Sequence, residues 1–134
     1  MVNKKTLSCR RKNQRRSLAE ASGRAAERLV AAWYEREGYD LLARRVRTAL
    51  GEIDLVVANS DMLIFVEVKA RAEERSAAEA VTHRQRTRLI AAAEIILAEH
   101  PVWSRELTRF DVILVVGGLI VPIPDAFRAD QVRS

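Results

Sequence analysis

The chain has 134 residues, 49% hydrophobic and 31% charged, which suits one soluble domain with a single core and excludes a disordered or fibrous chain. Its net charge of +5 is uneven. Residues 1–16 hold seven of the 23 basic residues (Lys4, Lys5, Arg10, Arg11, Lys12, Arg15 and Arg16) and no acid, so the other 16 face 18 acids, a net of −2.

The charge pattern divides the chain into a flexible basic tail, residues 1–16, and one domain, residues 17–134. A tail of this kind draws polyanions through phosphate contacts and counterion release; the plainer reading is a solvated arm that aids solubility. A single cysteine, Cys9, allows no internal disulfide and, with only two histidines, no zinc site. A reducing compartment, the cytoplasm, is the simplest expectation. The longest apolar run, residues 112–121, is too short to cross a bilayer and is broken by Gly117-Gly118. No apolar segment follows the basic start, so no secretory signal is expected, and an organelle transit peptide is the minor alternative.

Ser17 opens the first periodic segment, with Glu20 three residues on in the spacing of a capping box. Ala26, Leu29, Val30 and Trp33 then recur at helical spacing, and Gly38 fits the helix end. Three strands are predicted next. Residues 39–47 alternate imperfectly. Residues 51–58 alternate well, with Ile53, Leu55 and Val57 on one side and Glu52, Asp54 and Val56 on the other. Residues 62–70 put Leu63, Phe65, Glu67 and Lys69 on one side and Ile64, Val66 and Val68 on the other. A helical region covers about residues 77–99, with Thr82 and Gln85 as a second capping-box pair and His100-Pro101 closing it. Residues 110–116 read as a buried strand, Gly117-Gly118 as a hairpin turn, and residues 119–123 as its return strand. The last ten residues read as a short helical turn and a frayed end. The fold class is therefore α/β, a mixed sheet flanked by helices.

Three charges interrupt the paired strands. Glu67 and Lys69 are two apart and share a face; if Asp54 of the neighbouring strand faces the same way, two carboxylates converge beside an ammonium. Packed anions repel, and one must take a proton unless a cation intervenes. Mg²⁺ or Mn²⁺ answers that need, because a hard divalent ion prefers oxygen ligands and binds few protein carboxylates. Such an ion activates water and neutralises phosphoryl charge, and Lys69 is placed to orient the water or stabilise the transition state. The plainer reading is a structural salt bridge from Lys69 to Glu67 or Asp54.

The stretches "GRAAERLVAAWYEREGY", "LLARRVRTALGEIDLVVA", "LIFVEVKAR", "EAVTHRQRTRL", "RFDVILV" and "IPDAF" resemble the YraN-like family of small bacterial proteins of unassigned function. More distantly they are similar to the restriction-endonuclease-like superfamily, with its α-β-β-β-α-β core and D…ExK site, and especially to archaeal Holliday-junction resolvases. The resemblance implies Asp54 and Glu67 as metal ligands, Lys69 as the catalytic lysine, and Glu27 as a helix carboxylate near the metal. It implies a Mg²⁺-dependent endonuclease acting on DNA, with branched or structured DNA as the candidate substrate. It also leaves a homodimer open, since two symmetric cuts need two sites. Two departures stand out. Ile53 replaces the proline that many relatives carry before the aspartate, and Gln85 follows Arg84 where a lysine is common.

Arg44, Arg45, Arg84, Arg86 and Arg88 are candidates for phosphate contacts, against a reading of the helical three as the wet side of an amphipathic helix. Gln85 is expected to cap Thr82, Asp111 to pair with Arg109 or a backbone group, and Trp33 and Trp103 to pack. His83 and His100 are expected at a loop and a helix end. The alternative to a nuclease is a catalytically silent nucleic-acid-binding or interaction module on the same fold.

Overall fold

The computed structural model describes residues 23–71 and 81–127. The basic tail and the Ser17–Glu20 pair lie outside the described residues.

Helix α1 covers residues 23–36. It ends in a Schellman arrangement: the Tyr39 amide donates to the Tyr34 carbonyl at 3.0 Å and the Gly38 amide to the Glu35 carbonyl at 3.1 Å. Gly38 sits at φ 93°, where a side chain would be strained. The buried stripe of α1 is Ala26, Val30, Ala31 and Tyr34. It is turned slightly from the predicted one, so Leu29 is exposed and Trp33 only partly buried.

Strands β1 (Asp40–Thr48), β2 (Gly51–Ala58) and β3 (Met62–Arg71) form an antiparallel meander. Helix α2 (His83–Glu99) follows, capped by the expected reciprocal bonds of Thr82 and Gln85. A 3₁₀ turn (Pro101–Trp103) leads into β4 (Leu107–Val116), which pairs parallel with β3, and β5 (Leu119–Phe127) returns antiparallel to β4. The sheet order is β1-β2-β3-β4-β5. The two-residue β4–β5 loop needs positive φ at both positions, and Gly117 and Gly118 supply it at 56° and 81°. β5 runs further than predicted. Pro124 to Phe127 continue the strand through a left-handed Asp125 at φ 51°, and Phe127 stacks on Phe110 at 4.9 Å between ring centroids; the rest of the expected helical turn, residues 128–134, lies outside the described residues.

Each sheet face is covered by one helix. Leu55, Val57, Ile64, Val66, Ile113 and Val115 pack beneath α1, while Val56, Ala58, Leu63, Phe65, Val112 and Leu114 pack with α2. Among the described residues this is an α/β sandwich of a five-stranded mixed sheet between two helices. Its α-β-β-β-α-β order, extended by β5, is compatible with a restriction-endonuclease-like core. No helix among the described residues is long and apolar enough to cross a membrane.

The alternation expected of β2 fails at one point. Ile53 does not join Leu55 and Val57 under α1 but packs with Val56 and Ala58 on the α2 side. An irregularity in β1 lies beside this point. The pairs Arg44↔Leu55 and Val46↔Ile53 leave Arg45 opposite Asp54, and Arg45 has a left-handed φ of 49°. A left-handed residue turns the strand locally and breaks the two-residue period.

Candidate functional site

Asp54 lies where the β2–β3 ladder lapses. Regular pairing runs from Ala58↔Leu63 to Leu55↔Val66 and stops there, although both strands continue. The next opposed positions would be Asp54 and Glu67. Instead of a ladder bond, the Val68 amide donates to Asp54 Oδ2 at 2.8 Å. A carboxylate thus takes the place of a backbone acceptor, and the gap it holds open is where the charged side chains collect.

Lys69 Nζ lies 3.0 Å from Glu67 Oε1, and both side chains are only 17% exposed. The ion pair of the plainer reading therefore exists. It does not neutralise Asp54, whose carboxyl is pushed up to about 8, first by burial and next by the charge of Glu67. The Val68 amide pulls the other way, while a hydrogen bond with Glu67 and the more distant charge of Glu27 push further up. Two carboxylates held this close in a poorly solvated gap must share a proton or take a cation.

Glu27 reaches this region from α1. Its Oε2 accepts from Arg45 Nε at 2.9 Å, with the acid 16% and the arginine 36% exposed. Hydrogen bonding to Glu27 raises the Arg45 guanidinium above its ordinary value, with smaller contributions from the charges of Glu52 and Asp54. Asp54 and Glu67 are the residues that could hold a metal. Among the described residues, no cluster of three or more His, Cys, Asp or Glu side chains forms.

On the α2 side, Glu67 shares a cavity of about 170 Å³ with Gly51, Glu52, Gln85 and Arg88 over a floor of Val81 and Leu89. Gly51, Glu52 and Arg88 also line a larger groove beside the β1–β2 turn, together with Arg47 and Leu50. An open path thus leads from the turn to Glu67. Gln85 borders it but is committed to Thr82, as its capping role predicts. Arg88 faces the path, and Arg44 and Arg84 are exposed. Arg86 turns elsewhere: its guanidinium carbon lies 5.8 Å from the centroid of the Phe127 ring, and its buried Nε has no hydrogen-bond partner among the described residues.

Asp111 pairs with Arg109, as expected, through bonds of 2.7 and 2.9 Å. Its third side-chain bond, a 2.7 Å donation from Tyr34 Oη on α1, was not expected. His83 is the exposed first residue of α2, and His100 caps its end while stacking on Trp103 at 3.9 Å. Sequence reasoning named Arg45 as a candidate phosphate contact but missed its left-handed backbone and its bond to Glu27. Nothing in "LLARRVR" marks one of its arginines as left-handed.

A family model described as "Uncharacterised protein family UPF0102" matches residues 26–115. The chain is 59% identical over 116 residues to a UPF0102 protein of Acidiphilium cryptum, covering 87% of this chain and 91% of that one. It is 46% identical over 114 residues to one of Granulibacter bethesdensis, covering 84% and 72%. A third, from Azorhizobium caulinodans, is 48% identical over 102 residues, covering 76% and 78%. The matched segment holds every member of the site, from Glu27 to Arg88, as the resemblance to the YraN-like family implied.

Proposed function

The chain belongs to uncharacterised protein family UPF0102, and from the geometry of its carboxylate pair we propose that it is a Mg²⁺- or Mn²⁺-dependent nuclease hydrolysing DNA phosphodiester bonds, at branched or structured sites, in the cytoplasm. The observation that carries this reading is Asp54 against Glu67, a half-closed pair of acids in need of a proton or a cation, with the Lys69 ammonium attached. The donor set fits a hard divalent ion, which takes carboxylate oxygens and fills its remaining positions with water.

Asp54 and Glu67 would hold the ion. When bound, it supplies an activated water and neutralises charge on the phosphoryl group. The Val68 amide fixes the Asp54 carboxylate in the gap. Lys69 is held against Glu67 and would turn its ammonium to the phosphate oxygen that gains charge in the transition state. Arg88, at the mouth of the cavity, and the exposed Arg44 and Arg84 would contact flanking phosphates, which position the strand without reading its sequence.

The test is cleavage of linear, single-stranded and four-way DNA with Mg²⁺ or Mn²⁺. Lys69→Ala is expected to lower the rate roughly 10²- to 10³-fold, the usual loss on removing one charge-stabilising donor, with Mn²⁺ binding and the melting temperature retained. Asp54→Ala is expected to abolish Mn²⁺ binding. Wild-type protein that cuts none of these substrates across metals and pH would overturn the reading.

One observation favours the alternative of a silent nucleic-acid-binding module. Both cations nearest the acids are already engaged, Lys69 by Glu67 and Arg45 by Glu27. That reading expects salt-sensitive DNA binding that survives Asp54→Ala and depends on residues 1–16.

A further inference from the structure

Arg45 occupies a backbone conformation that glycine and asparagine tolerate and that arginine rarely adopts, φ 49° in the middle of a strand. Such outliers persist where the surroundings over-determine them, and they cluster at working sites. Here the conformation directs the side chain to α1, where Nε meets Glu27 Oε2 at 2.9 Å. That is its single side-chain hydrogen bond among the described residues, none of which takes an Nη donor. The side chain is 36% exposed and Glu27 16%. The guanidinium can therefore be reached from solvent, while the carboxylate behind it is largely covered. The residue across the strand is Asp54.

These facts describe an acid held next to the site by a cation that has donors to spare. A guanidinium fork matches phosphate as well as carboxylate, and two-point pairing to a phosphate outcompetes a single bond to an acid. We propose that Arg45 is a positioning residue: it holds the Glu27 carboxylate in the free protein, and when a backbone phosphate of the nucleic acid takes its guanidinium, Glu27 is released toward the Asp54–Glu67 pair as a further ligand for the divalent ion. This rests on the metal-dependent nuclease reading. It adds an order of events, in which the phosphate completes the metal site, so the protein binds metal weakly until substrate is present.

The inference predicts a reciprocal coupling between metal and DNA. Mn²⁺ affinity of the full chain is measured by titration calorimetry, alone and with a saturating short phosphorothioate DNA duplex. In the wild type, DNA is expected to tighten Mn²⁺ binding by about 5-fold or more, the lower end of ordinary coupling between sites. Arg45→Gly suits the left-handed backbone and frees Glu27. It is expected to bind Mn²⁺ more tightly than the wild type without DNA and to show little further gain with it. Glu27→Gln is expected to keep the weak affinity and lose the coupling. Arg45→Lys, which retains the charge but not the fork, should keep part of it.

DNA attracts Mn²⁺ by its own charge, so the readout is the difference between variants, not the wild-type value alone. If Arg45→Gly does not fold, Arg45→Asn serves in its place. A purely structural ion pair would change the melting temperature and leave the coupling intact. Wild-type coupling retained in Arg45→Gly or in Glu27→Gln overturns the inference while leaving the nuclease reading standing. Wild-type protein that binds no Mn²⁺ with or without DNA overturns both.

Discussion

Asp54 and Asp111 are the same residue in matching positions, and the fold treats them in opposite ways. Each lies where a strand ladder breaks, and each faces one of the two non-glycine residues with positive φ among the described residues: Arg45 at 49° and Asp125 at 51°. At Asp111 the break supplies donors. The Asp125 amide gives one bond at 2.9 Å, Arg109 gives two, and Tyr34 Oη gives a fourth at 2.7 Å, while the residue is 2% exposed. At Asp54 the break supplies one backbone donor, from Val68, and a second acid, Glu67. A buried carboxylate with several donors stabilises a fold; one left beside another acid costs stability and is retained where chemistry needs it. Substitutions at the two positions should therefore have opposite signs.

The largest effect is expected at Asp111. Asp111→Ala leaves the Arg109 guanidinium and the buried Tyr34 hydroxyl without their acceptor, and loss of one partner of a buried pair costs about 3–5 kcal/mol. Urea unfolding followed by circular dichroism measures it. A loss under about 1 kcal/mol would mean that this network resembles a surface ion pair, and the contrast with Asp54 would be lost.

At Asp54 the expected change is a gain. Its folded-state carboxyl is pushed from the ordinary 3.8 to about 8. The folded protein therefore holds a proton that the unfolded chain has released between those values, and stability falls as pH rises from about 4 to 8. Asp54→Asn, which keeps an oxygen for the Val68 amide, should flatten that slope and raise the melting temperature at pH 8 in chelator. Mg²⁺ should do the same for the wild type. At 100 times its dissociation constant it adds about 2.7 kcal/mol, with the gain shrinking as pH falls and Asp54 protonates. Equal melting temperatures for Asp54→Asn and wild type at pH 5 and at pH 8, with and without Mg²⁺, would remove the basis for calling Asp54 a frustrated acid.

Much of this contrast was legible in the sequence, and the illegible part has a physical cause. Local signals carried well. Thr82 and Gln85 cap a helix, Gly117-Gly118 makes a two-residue turn, Gly38 ends α1, and Asp111 pairs with the arginine two residues before it. Period-two reading also placed Glu67 beside Lys69. What failed was any feature that needs a partner distant in the chain. Tyr34 and Asp111 are 77 positions apart, and no spacing rule links them. Ile53 was assigned to the wrong face because the period breaks at Asp54, opposite a left-handed Arg45 in the neighbouring strand that no single-strand pattern shows. The acids could be named from sequence. Their different surroundings could not, because those come from where strand pairing ends at Asp54 and shifts register at Asp111, which a single strand does not encode.

Tyr34→Phe gives the smallest effect and the finest test of the comparison. The hydroxyl is buried and donates to a carboxylate, and burial together with the Asp111 charge raises its pKa well above the ordinary tyrosine value. Removing it leaves Asp111 with Arg109 and the Asp125 amide and opens almost no space. The expected cost is one charge-assisted hydrogen bond, about 1.5 kcal/mol. Because the Tyr34 ring would still pack between Trp33 and Tyr39, that loss reports on the bond and not on the core. If the structural and functional acids are separate devices, Tyr34→Phe will lower the urea midpoint while leaving Mn²⁺ affinity and its coupling to DNA at wild-type values. A change in metal affinity would instead show that α1, which carries both Tyr34 and Glu27, ties the two acids into one unit.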